Sequence, residues 1–295
     1  MCRVFGLTAV LILLLAGACN RPFRDRPQSG ADLAGSHEEQ IMSGGMSRSY
    51  ILHVPIGTKG SSPVPLLLNF HGAGSNARQQ EALSGTSGKA DREEFIVAYP
   101  EGINAEWHTG PETQGIQDRQ FVRDLIAHLE SQYNIDRRRI YATGISNGGG
   151  MVDRIGCNMA DLIAAIAPDS GAYNFWKDCN PSRPMPVLAF HGLDDNVVPY
   201  DGGIPTSMEP PIEQWAAGWA SRDGCASIPV VTVPGQGVTV RSWPGCQGGA
   251  QVILYTLANH GHSWPGSAVM PPSITSQAVN ATDLMWDFFQ RHPMP

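Results

Sequence analysis

Arg139-Ile140-Tyr141-Ala142-Thr143-Gly144-Ile145-Ser146-Asn147-Gly148-Gly149-Gly150 is the stretch from which the architecture can be read. The β-prone run Ile140 to Ala142 leads directly into Gly144-x-Ser146-x-Gly148, and an amphipathic segment opens at Met151-Val152. Strand, tight turn and helix in that order form the setting of a nucleophile elbow. The two glycines permit a sharp turn that lifts Ser146 to the head of a sheet. The amides at the start of the following helix then face the place where negative charge would develop. In a chain with 33 glycines the bare pattern arises easily by chance, so its weight comes from the flanking strand and helix and from what lies downstream.

Upstream, Ser49 to Ile56 alternates like an edge strand, with Pro55 near its end. Val64 to Phe70 is a continuous apolar run, the mark of a strand covered on both faces, and it enters the glycine-rich loop His71-Gly72-Ala73-Gly74-Ser75-Asn76. Phe95 to Tyr99 reads as the next strand. From Asp118 to Tyr133 the apolar residues Phe121, Val122, Leu125, Ile126 and Leu129 recur at helical spacing. Beyond the elbow, Leu162 to Ala167, Pro186 to Phe190 and Gln251 to Leu257 are strand-like. Glu213 to Ser221 and Ser276 to Arg291 are helix-like. Strands alternating with helices predict an α/β architecture: one mostly parallel, doubly wound sheet in a single domain.

The 295 residues are 42% hydrophobic and 16% charged, enough to bury a sizeable core. A net charge of −7 disfavours nucleic acid and anionic membrane surfaces as partners. At the N-terminus, Arg3 precedes the apolar run Val4 to Leu15 and then Ala16-Gly17-Ala18-Cys19. Residues 1–18 therefore read as an export signal. The tetrad also resembles a bacterial lipobox, in which Cys19 carries a lipid, so plain secretion and lipid anchoring both stand. Residues 19–45 read as a flexible tether and residues 46–295 as the folded domain.

Export leaves Cys157, Cys179, Cys225 and Cys246 in an oxidising compartment. No Cys or His spacing suits zinc, so neither a metal nor a cofactor is expected. Of the three possible pairings, Cys157–Cys179 and Cys225–Cys246 close local loops of roughly twenty residues, and unpaired buried thiols are the alternative.

A nucleophilic serine needs a base and a carboxylate to orient it. Pro186 to Phe190 runs into His191-Gly192-Leu193-Asp194-Asp195-Asn196-Val197-Val198-Pro199, which offers two aspartates. Gln251 to Leu257 runs into Ala258-Asn259-His260-Gly261-His262-Ser263-Trp264-Pro265-Gly266, which offers two histidines. The order Ser, Asp, His, with each candidate at the end of a strand, is the order of this type of sheet. His71 and His191, beside glycines at strand ends, read as structural. Trp176, Trp215 and Trp219 read as packing, and Asp118 as a helix cap.

Four blocks carry a resemblance: Leu68-Asn69-Phe70-His71-Gly72-x-Gly74-x-Asn76, Gly144-x-Ser146-Asn147-Gly148-Gly149, His191-Gly192-x-x-Asp195-x-x-Val198-Pro199, and Gly261-His262-x-Trp264-Pro265-Gly266. With them the chain resembles the polyhydroxybutyrate depolymerase and feruloyl esterase group of secreted α/β-hydrolases, over nearly all of its length after the leader. The resemblance implies the α/β-hydrolase fold and a serine esterase with Ser146 as nucleophile, Asp195 as acid and His262 as base. It also implies an oxyanion hole from the backbone amides of Ala73 and Asn147, and substrate contacts by Trp264 and Trp107. Asp194 stands where the group has a small residue, and His260 where it has glycine. The substrates implied are feruloyl or acetyl esters on plant xylan, or hydroxyalkanoate oligomers. The lack of an added polymer-binding domain after the last block favours the soluble esters. A peptidase of the prolyl-oligopeptidase type would need an extra domain. A non-catalytic surface lipoprotein is the reading from another class.

Overall fold

The computed structural model describes residues 34–58, 62–110, 117–174, 178–203 and 209–295. Cys19 and Trp176 lie outside them.

The centre of the sheet is built from the apolar runs. Strands β3 (Val64–Phe70), β4 (Ile96–Pro100), β5 (Ile135–Ile145), β6 (Ala165–Asp169), β7 (Val187–Gly192) and β10 (Val252–Leu257) pair in parallel in the order β4-β3-β5-β6-β7-β10. Parallel strands need crossovers, so helices cover both faces. α3 (Asp118–Gln132), α4 (Asn147–Asn158) and α5 (Ile212–Arg222) pack Leu125, Ile155 and Trp219 on one face. α1 (Ala77–Ser84), α2 (Thr86–Glu93) and α6 (Ala281–Arg291) pack Ala77, Ala90, Trp286 and Phe289 on the other. Trp286 stacks on Phe95 with ring centres 3.6 Å apart, tying the last helix to the start of β4. This is the α/β-hydrolase arrangement.

Both edges are antiparallel. β1 (Gly35–Ser43) pairs with β2 (Met46–Val54), which pairs with β4. β9 (Val238–Trp243) joins β10, and β8 (Val230–Gly235) lies outermost. The tether expected over 19–45 therefore ends early. Gly44 and Gly45, at φ 56° and 80°, make the two-residue turn that folds residues 35–43 back as a strand. Its polar residues are tolerated because it is an edge.

Two other boundaries move for local reasons. β6 begins at Ala165 rather than near Leu162, because the amides of Leu162 and Ile163 turn back onto the carbonyl of Met159. α6 begins at Ala281 rather than Ser276, because Asn280 Oδ1 caps the amide of Asp283 while Ser276 is pinned to the loop after β10.

Two disulfides, Cys157–Cys179 and Cys225–Cys246, clasp the loops after α4 and α5. Cys225–Cys246 closes a separation of 21 residues. Replacing both of its cysteines by alanine is expected to lower unfolding free energy by about 3 kcal/mol in denaturant titration, through the entropy returned to the unfolded chain.

Candidate active site

The parallel strands bring the ends of β5, β6, β7 and β10 to one edge of the sheet, and the singled-out residues gather there. Ser146, between β5 and α4, has φ 60° and ψ −124°, a conformation that L-residues rarely adopt. The turn is tight because α4 starts against β3. A Cβ on Gly144 would lie 2.6 Å from the carbonyl oxygen of Phe70, and one on Gly148 only 2.3 Å from the same atom. The backbone of Ser146 is held on three sides. Its N–H donates to Asp169 O at 3.1 Å, and its carbonyl accepts from Gly150 N at 2.9 Å and Ala172 N at 3.0 Å.

The loop after β3 lies directly beside the serine, since a Cβ on Gly72 would sit 3.2 Å from Ser146 Cβ. The N–H groups of Ala73 and Asn147 donate to no acceptor among the described residues, so both are free to face an incoming oxygen. The loop is braced elsewhere: Gly74 N donates to Ala105 O at 2.8 Å, and His71 Nδ1 donates to Gly72 O at 2.8 Å.

Asp195 follows β7 and is 3% exposed. Its Oδ1 accepts from the amides of Val197 and Val198 at 2.9 and 2.8 Å, and its Oδ2 accepts from His262 Nδ1 at 2.8 Å. Burial pushes the carboxyl up, but the hydrogen bond and charge of His262 and the Val198 amide outweigh it and hold Asp195 below the usual carboxylate range. With Nδ1 on Asp195, the ring of His262 has Nε2 left for chemistry.

The second histidine of that loop is placed differently. His260 is fully buried, with Nε2 donating to Ser263 O at 2.9 Å and Nδ1 accepting from Ser276 N at 2.9 Å. Both its nitrogens are spent on shaping the loop. Asp194 is exposed. His191 is buried, gives Nε2–H to Val198 O at 2.8 Å, and is pushed down to about 4 by desolvation, so it stays neutral beneath Asp195.

Residues 48–202 match the family model described as Esterase PHB depolymerase. The chain belongs to that esterase family. Feruloyl esterase B of Piromyces equi is 36% identical over 264 residues, covering 84% of this chain. The chain spans 46% of that relative's length. The probable feruloyl esterase C of Aspergillus terreus is 28% identical, covering 88% of this chain and 91% of its own length. Among solved structures, the acetyl xylan esterase from Aspergillus awamori superposes with a TM-score of 0.63 at 15% identity, over 86% of this chain and 99% of its own, which speaks to the fold.

In this chain the two tryptophans expected at a subsite are scaffold. Trp264 and Trp107 are 1% and 2% exposed. Trp264 Nε1 donates to Thr282 Oγ1 at 3.0 Å and so ties the histidine loop to α6. Trp107 packs edge-on to Phe70, and its Nε1 donates to His71 O at 3.0 Å. The side chain of Asn147 grips the same residue: Oδ1 accepts from Trp107 N at 2.7 Å and Nδ2 donates to Trp107 O at 3.0 Å. Sequence pattern gives no sign of this clamp, because both its partners are backbone groups. Asp118 is not a cap either. Buried at the start of α3, its carboxylate pairs with Arg48 at 2.8 Å and accepts from His108 N at 2.8 Å.

Among the described residues no group of three or more His, Cys, Asp or Glu is placed to hold a metal ion.

Adding a methyl at Gly148 would drive it into main-chain atoms that cannot rotate away. Gly148→Ala is expected to cost more than about 2 kcal/mol of stability, read as a lowered denaturation midpoint.

Proposed function

We propose that this chain is an exported serine carboxylic-ester hydrolase that cleaves feruloyl or acetyl esters carried by xylan. The observation that carries the reading is the Asp195–His262 pair, set at the same sheet edge as a strained Ser146 flanked by two unpaired amides. Two disulfides support an oxidising, extracellular setting. Relatives named feruloyl esterase support the acyl group, and a fungal relative named bifunctional acetylxylan esterase/xylanase, 31% identical, supports the polysaccharide.

In the first step Ser146 Oγ attacks the ester carbonyl while His262 Nε2 takes its proton. The carbonyl oxygen gains charge facing the amides of Ala73 and Asn147, whose fixed dipoles favour it without reorganising. Asp195 keeps Nδ1–H in place and stabilises the imidazolium. The tetrahedral intermediate collapses, His262 gives the proton to the departing sugar hydroxyl, and an acyl-serine remains. Water then attacks that ester with His262 again as base. The acid leaves and Ser146 is regenerated.

The test is hydrolysis of a p-nitrophenyl short-chain ester, methyl ferulate, acetylated xylan and a hydroxybutyrate oligomer. Methyl ferulate or acetylated xylan should be turned over. Ser146→Ala and His262→Gln should each lower kcat/KM at least about 10⁴-fold, whereas His260→Gln should leave turnover in folded protein far closer to wild type. Turnover of the hydroxybutyrate oligomer alone would replace xylan esters by hydroxyalkanoates. A folded protein that leaves every ester intact would be a binding module instead.

A further inference from the structure

β6 lies between the strand that carries the serine and the strand that leads to Asp195, and its last residue is an aspartate. In the sheet register Asp169 stands opposite Ile145, which precedes Ser146, and opposite Phe190, which precedes His191. Its carbonyl oxygen is the group that receives the N–H of Ser146 at 3.1 Å. Its side chain is 0% exposed, and neither carboxyl oxygen has a hydrogen-bond partner among the described residues.

The neighbourhood shares this character. Ser170 follows in a left-handed conformation, φ 43°, with Oγ buried and unpartnered; Tyr173 Oη and His191 Nδ1 are likewise buried without partners. These five polar atoms, on β6, the segment after it and β7, are buried without a partner among the described residues, and not one of them belongs to a cation. Native interiors satisfy such groups, by internal water if by nothing else. A buried carboxylate that no donor or cation meets is far costlier than a neutral acid.

The charged and titratable groups around Asp169 point the same way. From the loop after β7 comes Asp195, already ionised through His262; from β7, neutral His191; from the segment after β6, the phenol of Tyr173; from the loop after β10, His260 and His262 lie across Asp195. Burial first, and then the charge on Asp195, push the Asp169 carboxyl well above the ordinary range. Two carboxyl groups sharing a site separate into one ionised and one protonated member.

We propose that Asp169 is a positioning residue, kept as a neutral carboxylic acid beneath the nucleophile, and that the esterase site works only while that proton is in place. The inference rests on the esterase reading. Loss of the proton to solvent would put a second negative charge beside Asp195. That charge would oppose the oxyanion forming at Ala73 and Asn147 and would favour the protonated, inactive base. It would also act on the segment whose backbone holds Ser146.

The sign of the effect on stability follows from the direction of the shift. Above the unfolded-state value the folded protein holds this proton and the unfolded chain does not, so the contribution of Asp169 falls as pH rises. Asparagine, the same shape and neutral at every pH, is free of that loss.

The experiment compares wild type, Asp169→Asn and Asp169→Leu from mildly acidic to alkaline pH, by kcat/KM on a soluble ester and by thermal melting. Expected is a kcat/KM ratio of Asp169→Asn to wild type near one at mildly acidic pH, climbing to about tenfold as Asp169 ionises. The Tm of Asp169→Asn should gain on wild type steadily with pH. Asp169→Leu, which likewise carries no titrating group at this position, should show the same insensitivity to alkali. Parallel pH–rate profiles for wild type and Asp169→Asn, or a Tm difference that does not change with pH, would overturn the proposal. If no form turns over any ester, the esterase reading fails, and the melting curves alone decide whether the proton is held.

Discussion

Everything at the head of the sheet depends on how closely α4 approaches the end of β3. Gly144 and Gly148 both lie against the carbonyl of Phe70, at distances no side chain could occupy. That approach forces Ser146 into a left-handed conformation costing about 1–3 kcal/mol. Backbone hydrogen bonds to Asp169, Gly150 and Ala172 offset the strain. Once the turn is fixed, Asn147 necessarily presents its amide beside the serine and its side chain to Trp107. Trp107 in turn grips His71, the residue that opens the loop after β3. The position of the serine and that of the loop facing it are thus consequences of one packing contact.

The electrostatics follow from unequal access to hydrogen-bond donors, because burial alone would neutralise every carboxyl here. Asp195 receives two loop amides and His262 Nδ1–H, and is held ionised. Asp153, one helix away, receives two indole N–H groups from Trp215 and Trp219, and burial still pushes it up to about 6. Asp169 receives none among the described residues, and burial and the charge on Asp195 push it well above the ordinary range. The series orders three buried aspartates by the donors supplied to each, and it leaves the net negative charge of the site on the one residue that touches His262.

Much of this was legible in the chain, and what was not has a physical pattern. β3 was bounded correctly from its sequence, because strands covered on both faces must be apolar throughout. From its sequence β2 reads as an edge strand over Ser49 to Ile56, but it lies between β1 and β4; the outermost β1, the hairpin β8–β9 and the polar helices α1 and α2 left weak signals, since edges and solvent-facing helices need little apolar surface. The Ser, Asp and His candidates could be listed because each ends a recognisable strand. Between His260 and His262 the residues alone leave two candidates, and the resemblance points to His262; the structure puts both nitrogens of His260 on backbone groups. Asp169 escaped notice for the opposite reason. A lone aspartate closing an apolar strand looks like the start of a loop, and only its burial without partners sets it apart.

Trp107 and Trp264 extend the point to recognition. Large aromatics near a candidate nucleophile invite a reading as ligand platforms, yet here each is enclosed and spends its indole N–H inside the protein. Their work is to hold the loop after β3 and the loop after β10 at the right height. The apolar side chains left in solvent on the loops bearing Asp195 and His262 are aliphatic: Leu193 and Val197 on one, Val269 and Ile274 beyond the other. The backbone oxygens of Asp194 and Ile274 both lie near Gly261, so these two loops meet beside His262. The rim of the site is therefore shaped by chain segments with little regular structure, positioned from below by buried indoles. The candidate site itself, by contrast, is fixed by the ends of strands that the sheet cannot move independently.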